Sequence, residues 1–489
     1  YRHGHYDTHE REFRGFGYVE QTDAELFGKD HGQGLFPTYP APINNEIPQA
    51  PVLTKTWFHT GAWKERAAQG AQYLTEYWNG DTALANVPHL ECTLPSSFTP
   101  QELREAARAL RGTTLRTEIY ELDGDLAKQA IPHAVTESCV NVRKLQAPQN
   151  ALGPGRPQLP GVFHPVPKES RSWAYDRVAN DPRTSQSFPL EVDAFGVVLR
   201  AASLGYPRRG SGHAAEQIKL HCVVTTNSVL HLAGDFASGH RLSIPLESKT
   251  FELHDLQLTP PSGDFYEAGD VDAEFQSADV IAYEGAPGGT TPARRLVQHE
   301  KAQYYNSAAL PAVLAFGSAD TRALLYKSYL LDLTPGLLTN VFNTPSTTIT
   351  PAILTEGAYV TPAGETGHWL PSGHAVFDAT KFYLPTSVVD PFGNSTAIAY
   401  DTYNFFALTI TDPLSNIVSA SHDYRVLAPK ELTDPNGNRQ EAAFDALGMI
   451  KAMAVKGKAG GSDGDTIAAP TVEYSYDYTR WDSARNQTG

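Results

Sequence analysis

The sequence predicts a mainly β protein, built in part from antiparallel hairpin repeats, with one or two short helices packed on the sheet. Three observations carry this. Gly 39 and Pro 35 together make 74 of 489 residues, about 15%, and Asn/Asp turn clusters are frequent, a composition of many strands joined by turns. Only one segment carries a full helix signature. One turn motif recurs three times at a constant interval of 22 residues, and a fixed period marks a repeat architecture. The 41% hydrophobic and 10% aromatic content supplies a core and excludes global disorder. No strict glycine period or sustained heptad is present, which excludes collagen-like and coiled-coil folds. At 489 residues the chain is expected to divide into sub-regions.

Residues 1 to about 50 are polar, aromatic and rich in Gly and Pro, and read as short strands and turns. Glu65 to Asn79 is a weak helix candidate interrupted by Gly70. The well-signed helix is Thr99 to Arg111. Thr99 caps it, Pro100 takes the first helical position and Glu102 stands three after the cap. Leu103, Ala106, Ala107 and Leu110 form one apolar stripe, and Gly112 ends the helix. Leu115 to Leu122 reads as a strand closing on a hairpin signal at Asp123-Gly124. From about 130 to 255 the pattern predicts short strands, such as Cys139–Val142 and Leu190–Asp193. Loops are expected at Pro260–Asp264 and at Gly285–Pro292, and the Gly/Asp/Lys-rich stretch Lys456–Asp465 is the best linker candidate.

The repeat is the most informative feature. Asp390-Pro391-Phe392-Gly393-Asn394 returns as Asp412-Pro413-Leu414-Ser415-Asn416 and as Asp434-Pro435-Asn436-Gly437-Asn438. Ten residues after each turn begins, an aromatic ring precedes an aspartate: Tyr400-Asp401, His422-Asp423 and Phe444-Asp445. Between these anchors Thr396, Ile398 and Tyr400 correspond to Val418, Ala420 and His422, and to Gln440, Ala442 and Phe444. The pattern reads as a strand, a turn at the aromatic-Asp step, a returning strand of about eight residues, and a second turn at Asp-Pro-x-x-Asn. Proline fixes φ there, and the Asp and Asn side chains bond to their own backbone. A lone hairpin cannot bury its apolar face, so such units stabilise by stacking on neighbours.

Charge and motifs narrow the chemistry. Lys+Arg 39 against Asp+Glu 55 gives a formal net charge of -16, and no basic cluster longer than Pro207-Arg208-Arg209 interrupts it, so nucleic acid is a poor partner. No apolar run approaches the length of a membrane span, the longest being segments such as Leu310 to Phe316, and no direct membrane insertion is expected. Cys92, Cys139 and Cys222 are odd in number and far apart and read as buried small side chains. His299-Glu300-Lys301-Ala302-Gln303 has Gln where a zinc-protease helix needs its second His. Gly15-Phe16-Gly17 lacks the third glycine of a dinucleotide loop. Asp434, Asn436 and Asn438 have calcium-loop spacing, but position six is Arg439. His3, His5 and His9 read as exposed or hydrogen-bonded. Hence no catalytic, cofactor or metal site is expected, and the chain reads as no enzyme. The fourteen positions singled out are structural turn residues: Asp390, Pro391, Asn394, Tyr400, Asp401, Asp412, Pro413, Asn416, Asp423, Asp434, Pro435, Asn438, Phe444 and Asp445.

The opening run, Tyr6-Asp7, Glu10 to Gly17 and Val19-Glu20-Gln21, resembles the B component of bacterial insecticidal toxin complexes, in the part that follows its β-propeller. Leu53 to Gly61, Arg108 to Gly112, Glu118-Ile119-Tyr120, Leu122-Asp123-Gly124 and Gly205 to Arg209 continue the resemblance. At Tyr424-Arg425-Val426-Leu427 and Phe444 to Gly448 it merges with the Rhs, or YD-repeat, pattern derived above. The resemblance implies a non-enzymatic scaffold of a secreted toxin, made in the bacterial cytoplasm and exported by a route not visible in this sequence. With a C-type component, the B component builds a hollow β-sheet shell around the cytotoxic part of its partner. A pentameric A-type channel, docked through the propeller, delivers that cargo. The chain reads as a fragment without the propeller, so docking on A is not expected of these residues. The aspartyl autoprotease belongs to the C component, with no counterpart here. The expected layout is 1–50 post-propeller strands, 51–285 the mixed β region with the helix at 99–111, 286–380 a β-rich continuation of the shell, and 381–489 the repeats with a loop at 456–465. The rival reading is an Rhs-type surface or effector protein acting in adhesion or intercellular competition.

Overall fold

The computed structural model describes residues 1–8, 10–23, 50–63, 69–149, 159–234, 239–257, 265–343 and 348–480. His9, most of Glu65–Gln69 and Pro260–Asp264 lie outside the described residues. The fold is mainly antiparallel β. Its strands are β1 (Arg2–Asp7), β2 (Glu12–Asp23), β3 (Val52–Phe58), β4 (Thr114–Glu121), β5 (Ala134–Gln146), β6 (Val162–Ala174), β7 (Arg183–Val192), β8 (Val198–Gly205), β9 (His221–Ala233), β10 (His240–His254), β11 (Asp279–Ile281), β12 (Ala293–Tyr304), β13 (Leu325–Leu333), β14 (His368–Pro371), β15 (His374–Asp378), β16 (Leu384–Val389), β17 (Ser395–Tyr400), β18 (Ala407–Thr411), β19 (Ile417–Asp423), β20 (Ala428–Thr433), β21 (Asn438–Phe444), β22 (Ile450–Lys458) and β23 (Val472–Glu473). Strands β1 to β14 belong to one sheet and β15 to β23 to a second, and each strand mostly pairs with its neighbour in sequence. The short β11 is the exception and runs parallel to β12. The chain divides into two compact units, Tyr1–Ser228 with Ser248–His299, and Val229–Glu247 with Glu300–Gly489.

In the first unit α1 (Pro100–Ala109) has the predicted cap. The Thr99 hydroxyl accepts from the Glu102 N–H at 3.3 Å and Glu102 accepts from the Thr99 N–H at 2.8 Å. Its apolar stripe lays Ala106 and Leu110 on Val142 of β5. Full burial of a leucine such as Leu110 contributes about 2 kcal/mol. Trp57 and Tyr18 pack with Tyr73, Tyr77 and Leu115. A second helix, α2 (Leu126–Gln129), is a single turn. A third, α3 (Ala268–Ser277), inserts Val271 and Phe275 among Phe188, Leu204 and Val224.

Four sequence expectations need correction. Asp123-Gly124 does not close a two-residue hairpin: Asp125 caps α2 through the N–H groups of Ala127 and Lys128, so a helical turn stands between β4 and β5. Glu65 to Asn79 is no α-helix over its described part, which holds a 3₁₀ turn at Gln69–Tyr73. The region 130–255 has long strands: β5, β6 and β9 have 13 residues each and β10 has 15. Pro165 and Pro167 lie inside β6 opposite Val142 and Val140. On the other side β7 pairs only with Ser170 to Ala174, so the prolines occupy a stretch with one free edge, where their missing N–H costs no ladder bond.

The fourth correction is Lys456–Asp465, which is not a linker. Gly457 N–H donates to Asp463 O and Asp465 N–H to Val455 O, both at 2.8 Å, so the stretch folds back on β22. In the second unit Ile244, Leu246 and Tyr304 form a small core. The nine-stranded sheet is different: among its described residues, from His374 to Glu473, only Asp401, Ala452 and Ala454 are buried.

Candidate functional site

The region with the most regular construction is the nine-stranded sheet. Its strands have five to nine residues between β16 and β22, shorter on average than the eight expected, and its turns alternate between two edges. On one edge lie the three Asp-Pro turns. Asp390 Oδ1 accepts from the N–H groups of Phe392 at 2.9 Å and Asn394 at 2.8 Å, while Oδ2 accepts from Asn394 Nδ2 at 2.8 Å. Asp412 repeats this with Leu414 at 2.9 Å, Asn416 N at 2.8 Å and Asn416 Nδ2 at 2.7 Å. Asp434 holds Asn438 through N at 2.8 Å and Nδ2 at 2.9 Å. Pro391, Pro413 and Pro435 each follow the aspartate and set φ for the turn. The Asn amides, with the backbone donors, hold all three carboxyls below the usual carboxylate range.

The other edge holds the aromatic-Asp turns. Asp401 Oδ1 accepts from Phe405 N at 2.6 Å and Phe406 N at 3.2 Å, and Oδ2 accepts from the Tyr424 hydroxyl. Asp423 accepts from Arg425 N at 2.8 Å. Asp445 accepts from Leu447 N and Met449 N at 2.9 Å each and from the Tyr478 hydroxyl. Before the first two aspartates the ring packs on the sheet: the Tyr400 hydroxyl donates to Pro385 O at 3.0 Å and His422 stacks on Phe406 at 4.3 Å; Phe444 stands opposite Ile450 in the strand register. The fourteen turn positions singled out in the sequence include neither Tyr424, quoted only for the repeat resemblance, nor Tyr478. Each directly follows an aspartate, Asp423 and Asp477, a signal that was available.

Cross-strand register sorts the two faces. On one, Ile398 lies opposite Ile410, Ile410 opposite Val418, Ala420 opposite Leu432, and Ala442 opposite Met453. On the other, Ala399 faces Thr409, Thr409 faces Ser419, Ser421 faces Glu431 and Glu431 faces Glu441. Successive side chains on a strand point to opposite faces, so one face is mostly apolar, with Thr396 and Gln440 among its residues, and the other mostly small and polar. Ile410, Val418, Leu432 and Val455 on the apolar face are exposed.

The near-miss motifs land in structural positions. His299 to Gln303 runs along β12, a strand where a zinc-protease motif needs a helix. The Gly15-Phe16-Gly17 run lies in β2. The Asp434 carboxylate is engaged by its own turn. His3 Nε2 lies 2.6 Å from Glu76 Oε1. Cys139 and Cys222 are buried and Cys92 is half-buried, all free, and burial pushes the Cys139 and Cys222 thiols up to about 12. Among the described residues no three His, Cys, Asp or Glu side chains are grouped to hold a metal, and no helix is long and apolar enough to cross a membrane.

The first unit holds a buried charge network that the sequence reading did not find. Arg116 donates from Nε to Glu118 at 2.7 Å, from Nη1 to Glu137, and from Nη2 to Trp78 O at 3.1 Å. Glu118 also accepts from Trp78 N at 2.8 Å and the Tyr120 hydroxyl at 2.6 Å. His89 Nδ1 lies 2.5 Å from Glu137. Burial opposes the charge on Glu137, yet His89 and Arg116 outweigh it and hold the carboxyl low. Every oxygen of the two glutamates faces a donor, as buried carboxylates require.

Two family models match. Residues 105–231 match the insecticide toxin TcdB middle/C-terminal region and residues 1–39 its middle/N-terminal region. The crystal structure of TcdB2-TccC3 without its hypervariable C-terminal region is similar at 23% identity and a TM-score of 0.64, over 96% of this chain and 22% of that one. The structure of TcdB2-TccC3-Cdc42 is similar at 21% identity and a TM-score of 0.63, over 100% of this chain and 24% of that one. The Photorhabdus luminescens Tc holotoxin pore is similar at 24% identity and a TM-score of 0.62, over 95% of this chain and 21% of that one. This chain thus spans less than a quarter of the length of these solved chains. No curated protein sequence matches it. The two family matches agree with the motifs of the opening run: over residues 1–39 and 105–231 the chain is similar to the TcdB middle region.

Proposed function

We propose that this TcdB-like chain is a wall element of a hollow shell which, together with a C-type partner, encloses a cytotoxic polypeptide and supports its delivery through an A-type channel. The role is structural and not enzymatic, in a toxin secreted from the bacterium that makes it. The observation that carries this reading is the sheet with two sorted faces, whose apolar face is exposed among the described residues. A globular domain buries the apolar face of such a sheet under a helix or second sheet. Here Ile410, Val418, Leu432 and Val455 stay exposed, as suits a wall whose apolar face turns to a lumen and whose polar face turns to water. Such a wall holds its shape by hydrogen bonds and turn geometry, which the saturated aspartates of both edges provide. The net charge of -16 favours solubility outside the cell.

Reconstitution tests it. The parent protein is co-expressed with a C-type partner and the cargo segment is challenged with protease, with the free segment as reference. Protection of the cargo is expected, and cleavage at the rate of the free polypeptide rejects the shell role. Loss of an activity on changing one exposed Asp or His, with folding intact, would reject the non-enzymatic reading.

A further inference from the structure

We propose that the first unit holds a binding cavity for a small, neutral aromatic molecule carrying an acceptor oxygen, set between residues 74–90 and the sheet beneath them. This strap lies between the 3₁₀ turn at Gln69–Tyr73 and α1, and its one regular element is a second short 3₁₀ turn at Thr82–Leu84. Charged side chains of the strands below fix it at four backbone atoms. Glu118 of β4 accepts from Trp78 N at 2.8 Å, and Arg116 of β4 donates to Trp78 O at 3.1 Å. Glu137 of β5 accepts from Leu90 N at 3.1 Å, and Arg171 of β6 donates to Pro88 O at 3.1 Å. Between these points Arg209 donates to both oxygens of Asp81, at 2.9 and 2.8 Å, and the Tyr175 hydroxyl adds a third donor at 3.0 Å. Long side chains thus hold the strap at both ends, and a cavity of about 230 Å³ remains between it and the sheet. Its walls are fixed before any ligand arrives, which lowers the ordering cost of binding.

The walls select the ligand. Tyr77 and Trp78 of the strap, and Trp173 and Tyr175 from the end of β6, line the cavity with aromatic rings. An apolar cavity of about 150 Å³ holds benzene, so this one accepts a substituted ring or two fused rings. The carboxylates at its border do not call for a cation. The oxygens of Asp81 are taken by Arg209, Tyr175 and Ala83 N, and those of Glu137 by Arg116, His89 and Leu90 N. The ligand is therefore neutral. What remains in the walls is donors. Trp173 is 4% exposed, and its Nε1 has no partner among the described residues. Tyr77 is 8% exposed. Its ring meets Trp57, His89 and the Arg116 guanidinium, while its hydroxyl makes no hydrogen bond among the described residues. Burial pushes the Tyr77 phenol above its usual range, so it keeps its proton as a donor. A buried donor without an acceptor is costly, and an indole N–H can only donate. An oxygen on the ligand supplies the missing acceptor, with the Tyr77 hydroxyl as its partner and Trp173 Nε1 as the second.

The inference does not rest on the shell reading, and its test is separate. The probe is para-fluorobenzyl alcohol, titrated into the parent protein and followed by fluorine NMR, with para-fluorotoluene as the same ring without the oxygen. Saturable binding of the alcohol is expected, with a dissociation constant of roughly 0.1–1 mM, about fivefold tighter than the toluene. Ala85 is exposed and lines the cavity, so Ala85→Trp is expected to fill the space and abolish binding without changing the melting curve. Tyr77→Phe keeps the ring and is expected to reduce the preference for the alcohol while leaving the toluene bound as before. Three results overturn the site: no saturable binding, binding that survives Ala85→Trp, or a preference for the alcohol that survives both Tyr77→Phe and Trp173→Phe. Tighter binding of tetramethylammonium than of the alcohol overturns the assignment of a neutral ligand.

Discussion

The hydroxyl of Tyr424 donates to the carboxylate of Asp401, 23 positions earlier in the chain. It ties the turn after β19 to the turn after β17 on the same edge of the sheet. The Tyr424 ring also meets Phe406 edge-on at 5.2 Å. Tyr478 makes the same link to Asp445. Asp423 has no tyrosine at the corresponding place. There Arg425 Nη1 donates to Ala446 O at 3.2 Å. The repeat is thus cross-linked between turns as well as along its strand ladders.

Asp401→Ala is expected to lower the thermal midpoint of the repeat unit more than Tyr424→Phe does. The first strips acceptors from the Phe405 and Phe406 N–H groups and from Tyr424, whereas the second keeps the ring contacts and loses one hydroxyl. Thermal melts of both variants check the order, and an equal or reversed order rejects the clamp.

Arg116→Met leaves Glu118 and Glu137 buried without their shared cation. Removing one partner of a buried ion pair costs about 3–5 kcal/mol. Denaturant titration is expected to show a loss of that size. Adding Glu118→Gln and Glu137→Gln removes the two uncompensated charges and is expected to restore part of it.

His59 carries a pH dependence. Burial pushes its imidazole down from 6.5 to about 4, and Nδ1 accepts the Gly61 N–H at 3.0 Å. The folded state therefore prefers neutral His59, so its stability is full above pH 6.5 and falls as pH drops toward 4, by about 3 kcal/mol over the interval. Unfolding measured across that range reads the loss. In His59→Gln the same interval is expected to be flatter by that amount.

The turn glycines test the correction at Lys456–Asp465. Gly464 has φ +85°, and a Cβ there would come within 2.5 Å of Val455 O. Gly393 has φ +89° with open space around it. Gly393→Ala bears only the left-handed backbone cost, about 1–2 kcal/mol, while Gly464→Ala adds a clash with β22. Hydrogen exchange at Gly457 and Asp465 is expected to accelerate in the second variant; if 456–465 were a linker, both amides would exchange fast in the unmodified protein.

Legibility in the sequence followed the range of the forces. The cap and stripe of α1 were readable because Thr99, Pro100 and Glu102 act on each other within one turn. The Asp-Pro turns were readable for the same reason, since Asp412 and Asn416 are four apart. The extent of β6 was not readable, because whether Pro165 and Pro167 break a strand depends on which side has a neighbour. Nor was the bond from Asp465 to Val455. The partnership of Arg116 with Glu137, 21 residues apart, is set by the pairing of β4 with β5.

By itself the sequence determined that this protein is a turn-rich β chain with a 22-residue hairpin repeat, because proline, glycine and Asx side chains act locally on φ and on nearby N–H groups. The TcdB-like character was also legible there, in the motifs of the opening run. Only the tertiary structure decided which apolar turn tips stand on a common edge and that Ile410, Val418, Leu432 and Val455 share an exposed face of the repeat sheet. Those properties depend on register and on what packs against a strand, and a one-residue change of register would exchange the two faces.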